Sequence, residues 1–252
     1  MFPTVPSAAR SRAGSSLALL FSAAAAVAVA QARRVVRSRI VAARAPARFS
    51  HCIPAPRHRI LLVGDSTGIG VGCEHADQSI AARLARDFAG SEVRNLCVNG
   101  ATVADVLCTV RALCADDAFD VVLVFAGGND VLRRTPWRDL HRDTSTLLAE
   151  LQRRAGRVVW AGMANVGLAP LFMPPFSWWM TARTRRVNRV LERQAVAAGA
   201  RFIDFFRERG SDPFSADPER FYARDHVHPS AQAYAYCYAR MRPAIARALD
   251  SG

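Results

Sequence analysis

The chain has 252 residues, 51% of them hydrophobic, which excludes global disorder and is enough for one well-buried domain once a basic amino-terminal arm is set aside. Its formal charge of +13 is uneven: residues 1–59 carry ten arginines and no acid, whereas the rest balances 24 arginines against 21 acidic residues. The body is therefore not a nucleic-acid-binding surface by charge, and since all 34 basic residues are arginine, lysine-dependent chemistry is excluded.

Between Arg12 and Arg33 lie twenty uncharged residues, Ala13 to Ala32, about the length that spans a bilayer although rich in alanine. Three readings are open. As a membrane anchor, the segment is followed by six arginines between 33 and 48 and preceded by two, which favours the cytoplasmic side for the downstream domain. As a signal peptide it would be cut after Ala28-Val29-Ala30 and the domain exported, against the resistance of Arg33-Arg34 to translocation. As a transit sequence it has the expected Arg, Ser and Ala, with no acid before Asp65. The arm from Arg33 to Arg48, with Val35, Val36, Ile40 and Val41 among its arginines, suits an anionic headgroup layer or a solvated linker. The favoured expectation is membrane association through residues 13–48, with residues 1–58 as hydrophobic segment and linker and residues 59–252 as one folded domain.

The folded part opens on Ile60-Leu61-Leu62-Val63, a continuous apolar run that reads as a strand buried on both faces and ends at Gly64-Asp65-Ser66-Thr67. Ser79 to Phe88 reads as a short helix and Glu92 to Val98 as a second strand ending at Asn99-Gly100. Thr102 is placed to cap a helix with Val103, Val106 and Val110 on one face. Phe119 to Ala126 is the clearest strand and ends at Gly127-Gly128-Asn129-Asp130. Trp137, Leu140, Thr144, Leu147, Leu148 and Leu151 mark an amphipathic helix. Arg157 to Ala161 is the fourth strand. Residues 162–179 read as a long loop, Met180 to Ala198 as a helix closed by Gly199, and Phe202 to Phe205 as a short fifth strand. A last helix runs to about Leu249. Five strands alternating with helices predict a three-layer α/β fold on a parallel sheet, with functional groups in the loops after the strands.

The polar clusters fall in those loops. An acyl-transfer site needs a nucleophile, a base, a group that orients the base, and donors for an oxyanion. Ser66 is the candidate nucleophile. Asp225 and His228, three residues apart, can bring a carboxylate to one imidazole nitrogen and leave the other for the serine. The amides of Ser66 and Gly100 and the side chain of Asn129 are candidate oxyanion donors. Asp65 and Asp130 are expected to brace their loops, His226 to point away from Asp225, Glu74 and His75 to lie in a solvated loop, and Tyr234, Tyr236 and Tyr238 to pack. The six cysteines show no spacing for zinc, and most read as small core residues.

Through these residues the chain resembles the SGNH (GDSL) esterase/lipase family over about residues 60–240. Gly64-Asp65-Ser66-Thr67 resembles the family's first block, Gly100 matches the second, Asn129 the third, and Asp225-x-x-His228 the last. Thr67 replaces the usual leucine, and Ala233 a glycine that often follows the last block. The resemblance implies a five-stranded sheet of flavodoxin-like order, a Ser66/His228/Asp225 triad, an oxyanion hole of Ser66, Gly100 and Asn129, an ester substrate, and no metal or organic cofactor.

Rival readings of the first loop fail on residues. A nucleophile elbow of the α/β-hydrolase kind would not stand on the first strand, nor keep Asp and His three residues apart. A dinucleotide fingerprint needs an acid after the second strand, where Asn99-Gly100 stands. A Walker loop needs lysine. What remains is a non-catalytic domain of the same fold, with no need of all four groups. Leu168, Leu171, Phe172, Met173, Phe176, Trp178 and Trp179 crowd the 162–179 segment with apolar bulk. Phe172, Met173, Phe176 and Trp178 are the candidates for an acyl-binding groove, or for contact with a membrane; the alternative is a local cluster that covers the sheet edge. A groove there implies a lipid or other apolar acyl ester and not a sugar acetate.

Overall fold

The computed structural model describes residues 47–250 and, before them, residues 25–26, 28–33 and 36, which are helical. Most of Ala13–Ala32 and of the Arg33–Arg48 arm lies outside the described residues, and with it the choice between anchor, signal and transit sequence. Among the described residues no helix is long and apolar enough to cross a membrane.

In chain order the first half comprises β1 (His58–Gly64), α1 (Ser66–Ile69), α2 (Ile80–Asp87), β2 (Ser91–Asn95), α3 (Val103–Arg111) and β3 (Phe119–Phe125). The second comprises α4 (Gly128–Leu132), α5 (Trp137–Gln152), β4 (Ala155–Ala161), α6 (Phe176–Ala197) and β5 (Arg201–Ile203). It closes with α7 (Pro213–Ala216), α8 (Pro218–Phe221) and α9 (Ala231–Asp250). The five strands form one parallel sheet in the order β2-β1-β3-β4-β5. This is the expected α/β architecture.

Because neighbouring side chains along a strand point to opposite faces, the apolar runs of β1 and β3 build two cores at once. Leu61, Val63, Val122, Val124 and Trp160 pack beneath α3, α5 and α6. Ile60, Leu62, Val121, Leu123 and Val159 pack beneath α2 and α9. All ten are buried, which is why the runs are continuous and not alternating.

The chain leaves β1 for β2 on one side, then crosses to β3 on the other. In such sheets that reversal opens a crevice at the carboxyl ends of the two strands. At this point Gly64 pairs with Phe125, and the Asp65 amide donates to the Phe125 carbonyl at 2.8 Å.

Several boundaries differ from expectation for local reasons. β2 ends at Asn95, whose side chain turns inward: Nδ2 donates to the Gly68 carbonyl (2.8 Å) and Oδ1 accepts from the Cys97 amide (3.1 Å). β5 is only three residues and ends at Ile203. The 162–179 segment is not loop throughout, since α6 begins at Phe176, directly after Pro174-Pro175, and so includes Trp178 and Trp179. Residues 48–57, read as linker, lie along the free edge of β2. His51 exchanges both backbone hydrogen bonds with Val93 (2.8 Å each), covering polar groups that an edge strand would otherwise expose. Of the cysteines, Cys73 and Cys97 are core residues, whereas Cys52, Cys108 and Cys114 are exposed; Cys108 faces out because the apolar face of α3 is completed by its valines and Leu107.

Gly64 is required by the close approach of β3. Its φ is +150°, and an added Cβ would stand 2.2 Å from the Phe125 carbonyl oxygen. Gly64→Ala is expected to lose about 3 kcal/mol of stability or more in denaturant unfolding, as for an overpacked core; an unchanged midpoint would contradict the packing described.

Candidate active site

Ser66 is the first residue of α1, directly beyond β1. Asp65 caps that turn, its Oδ1 accepting the Thr67 amide at 2.8 Å. The turn closes on the serine itself, because the amides of Gly70 (3.1 Å) and Val71 (3.0 Å) both donate to the Ser66 carbonyl. The Ser66 N–H, at the first helical position, has no acceptor within the turn and is available to a ligand. Asp65 is buried, and burial pushes its carboxyl up to about 6 against the opposing hydrogen bond from the Thr67 amide.

Asp225 and His228 come from a tight loop between α8 and α9. The loop is closed by hydrogen bonds from the Ala223 amide to the His228 carbonyl and from the His226 amide to the Ala223 carbonyl, each 2.9 Å. His226 takes φ +62° and is exposed, turned away as expected. Asp225 is buried, and its Oδ1 accepts the amides of Val227 (3.1 Å) and His228 (3.0 Å). Its Oδ2 lies 2.5 Å from His228 Nδ1, and His228 Nε2 lies 3.2 Å from Ser66 Oγ. Burial alone would raise the Asp225 carboxyl. The hydrogen bond and charge of His228, with the two amides, outweigh it and hold the group below the usual carboxylate range.

The other side of the crevice is built by α4. Asn129 Nδ2 donates to the Ala101 carbonyl at 3.0 Å, and the same nitrogen lies 3.5 Å from Asp65 Oδ2. Asp130 is buried and ties the two loops together: Oδ2 accepts the Val103 amide (3.0 Å) and Oδ1 the Thr135 hydroxyl (2.8 Å). Gly100 turns at φ +79°, its carbonyl held by Arg133 Nη2 at 2.7 Å, while the Arg133 amide donates to the Asn129 carbonyl at 2.8 Å. Ser66, His228 and Asp225 are thus in one hydrogen-bonded line, with Asn129 beside Asp65 and Gly100 linked to Asn129 through Arg133.

Two arginines escaped the sequence analysis. Arg133 joins the two loops, and Arg183 of α6 donates to the carbonyls of Val131 (3.2 Å), Asp130 (3.3 Å) and Thr135 (2.7 Å) at the end of α4. Its guanidinium lies 4.7 Å from the Trp137 ring centroid and 5.8 Å from that of Trp179. No spacing pattern signals such contacts; the carbonyls that carry them are backbone groups from a distant loop.

The four acyl-groove candidates part company. Phe172 is buried in the core, Met173 is half-buried, and Phe176 and Trp178 are exposed. Phe172 meets Phe176 edge-on at 5.6 Å, and Phe176 stacks on Trp179 at 5.7 Å. The segment adjoins the histidine loop, since the Leu171 amide donates to the His226 carbonyl at 2.9 Å. Tyr234 and Tyr238 are buried and donate to the carbonyls of Val71 (2.8 Å) and Arg83 (3.3 Å), while Tyr236 packs against Phe214 and Phe221. Glu74 and His75 are exposed. Among the described residues no cluster of three His, Cys, Asp or Glu side chains is placed to hold a metal ion.

Gly72 lets the histidine loop come this close. At φ +101°, a Cβ there would lie 2.3 Å from the Pro229 carbonyl and 3.2 Å from His228 Cβ. Gly72→Ala is expected to displace the His228 loop and cost about 1–3 kcal/mol of stability in denaturant unfolding, as for an overpacked site; an unchanged midpoint would mean that the loop yields freely.

Asp65 makes stability pH-dependent in a defined direction. Its folded pKa, about 6, lies above the reference 3.8, so the folded state binds more protons between these values. Its contribution is therefore fully present below the reference value and is lost as pH rises through about 6. Asp65→Asn is expected to flatten that fall in thermal unfolding followed from pH 4 to 7, roughly the span of the two pKa values; parallel curves for the two proteins would refute the assignment.

The comparisons with known proteins bear on the family and the fold. A model of the GDSL-like Lipase/Acylhydrolase family matches residues 62–236. The chain is 25% identical over 215 residues to a GDSL-like esterase of Mycobacterium tuberculosis, covering 81% of this chain and 67% of that protein. The fold is similar to that of TesA (TM-score 0.60, 22% identity, 75% of this chain and 99% of that one). It is also similar to that of Axe2, an acetylxylan esterase from Geobacillus stearothermophilus (TM-score 0.53, 18% identity, 77% and 95%). The chain belongs to the GDSL-like lipase/acylhydrolase family of ester hydrolases.

Proposed function

We propose that this ester hydrolase works through Ser66 as nucleophile, His228 as base and Asp225 as the group that orients the histidine. The observation that carries the reading is the unbroken line Asp225 Oδ2–His228 Nδ1 (2.5 Å) and His228 Nε2–Ser66 Oγ (3.2 Å). With Nδ1–H donating to the ionised Asp225, Nε2 keeps its lone pair toward the serine hydroxyl. Ser66 Oγ attacks the acyl carbon and its proton passes to Nε2. The tetrahedral oxyanion collapses, the alcohol leaves with that proton, and water then attacks the acyl-serine by the same route in reverse.

The oxyanion donors in this reading are the Ser66 and Gly100 amides and Asn129 Nδ2. One Asn129 N–H is committed to Ala101, and the other faces Asp65 at a length too great to be a strong bond. That second N–H is the one an oxyanion can take over, so Asp65 orients the amide without competing strongly for it. The adjoining aromatic segment, bonded to the histidine loop at Leu171, favours an apolar acyl ester as substrate.

Ser66→Ala and His228→Ala are each expected to remove nearly all turnover, and Asn129→Ala to cost roughly 10²–10³ in kcat. A fluorophosphonate probe should label Ser66, with the adduct mapped by mass spectrometry. Hydrolysis by Ser66→Ala at the wild-type rate, or labelling elsewhere, would overturn the assignment. A series of acyl esters of rising chain length, with a thioester and an acetylated xylan alongside, identifies the substrate class; preference for the acetylated sugar would reject the apolar acyl reading.

A further inference from the structure

The aromatic segment beside the histidine loop presents apolar bulk to solvent at its helical end. Phe172 turns into the core, but Phe176 remains 40% exposed and Trp178 68% exposed in the first turn of α6. Two large apolar side chains within one turn form a patch that a free surface seldom carries without use.

The chain segment that carries it has charge of one sign. No acid occurs from residue 151 to residue 191. Arg134 lies over the Trp179 ring at 5.0 Å and Arg186 over the Trp137 ring at 4.0 Å, and neither has a carboxylate partner among the described residues. Indole rings at the level of the headgroups and guanidinium groups against phosphates are what an anionic bilayer surface selects.

The amino-terminal arm is tied to the same segment. Gln31 Nε2 donates to the Leu171 carbonyl at 3.1 Å, and Gln31 Oε1 accepts the Met173 amide at 3.2 Å. Both ends of one side-chain amide are thus matched to two backbone groups, so helical residues 28–33, with exposed Val29 and Arg33, are held beside the aromatic patch. We propose that Phe176 and Trp178, with the arginines around them and the docked residues 28–33, form a surface that seats on anionic phospholipid. The Leu171–His226 hydrogen bond joins the segment that carries this surface to the loop of His228. The inference goes beyond the hydrolase reading and is tested without it.

The full chain is to be sedimented with vesicles of phosphatidylcholine alone and of phosphatidylcholine mixed equally with phosphatidylglycerol. Binding is expected to the mixture, weaker to phosphatidylcholine alone and weaker at high salt. Phe176→Ser with Trp178→Ser should weaken it about tenfold or more, the scale of losing two buried aromatic side chains. Val196→Ser, which removes an exposed apolar residue (61%) near the other end of α6, should leave it unchanged. Because residues 13–32 could hold the chain on vesicles by themselves, quenching of tryptophan emission by lipids brominated on their acyl chains supplies the second measurement. The unaltered chain should lose emission that a Trp178→Phe chain does not. Equal quenching in the two, or binding indifferent to phosphatidylglycerol, would overturn the proposal. So would a change from dimer to monomer in the double serine variant without lipid, since the patch would then serve a second copy. Ser66→Ala should bind vesicles as the unaltered chain does, which keeps failure of binding distinct from failure of the hydrolase reading.

Discussion

The parallel pairing of β1 with β3 is the constraint on which the rest of the structure depends. Ile60 to Gly64 run in register with Val121 to Phe125, so both strands end at the same level in the sheet. The chain must then leave the two ends in different directions, and the space between becomes the crevice. Ser66 occupies one lip and Asn129 the other. The absence of a side chain at Gly64 lets the carbonyl of Phe125 come near enough to accept the Asp65 amide. A bulkier residue would move the Ser66 loop away from its neighbours before any chemistry was considered.

On that frame the site is held by buried carboxylates in contrasting states. Asp225 meets two amides and an imidazole, and these overcome the cost of burial so that it stays ionised beside His228. Asp65 meets one amide at close range and is pushed upward by burial. Asp130 is likewise raised by burial, eased by a threonine hydroxyl and an amide, and spends both oxygens joining the α3 and α4 loops. The difference lies in the number and charge of the donors as well as in depth. In the proposed mechanism Asp225 has to remain charged, whereas a carboxylate that fastens loops together need only accept hydrogen bonds.

The loops are also braced from outside the crevice. Arg183 satisfies carbonyls at the end of α4 while lying between two indole rings, and Arg133 holds the Gly100 carbonyl while its own amide meets Asn129. Aromatic contacts extend this bracing from Trp137 through Trp179 and Phe176 to Phe172. The segment that faces outward with Trp178 is therefore mechanically continuous with the helix carrying Asn129. Surface and crevice are parts of one packed unit.

Much of this molecule was legible without coordinates. The apolar runs at 60–63 and 121–124 required strands covered on both faces, since only burial on both sides tolerates such continuity. The order of strands and helices then required a parallel sheet with polar clusters at one end, and the spacing of Asp225 and His228 suited a carboxylate–imidazole pair. Tertiary structure alone decided what depends on close approach between distant segments. It turned Phe172 inward and Trp178 outward, although both stand in one apolar stretch, because Pro174-Pro175 starts a helix whose buried face is set by Met180, Thr184 and Val187. It made Gly72 necessary to the position of His228, gave Arg133 and Arg183 their carbonyls, and laid residues 48–57 on the edge of β2. Local pattern encodes which face of an element is apolar; which atoms meet across a gap is settled only when the elements are packed.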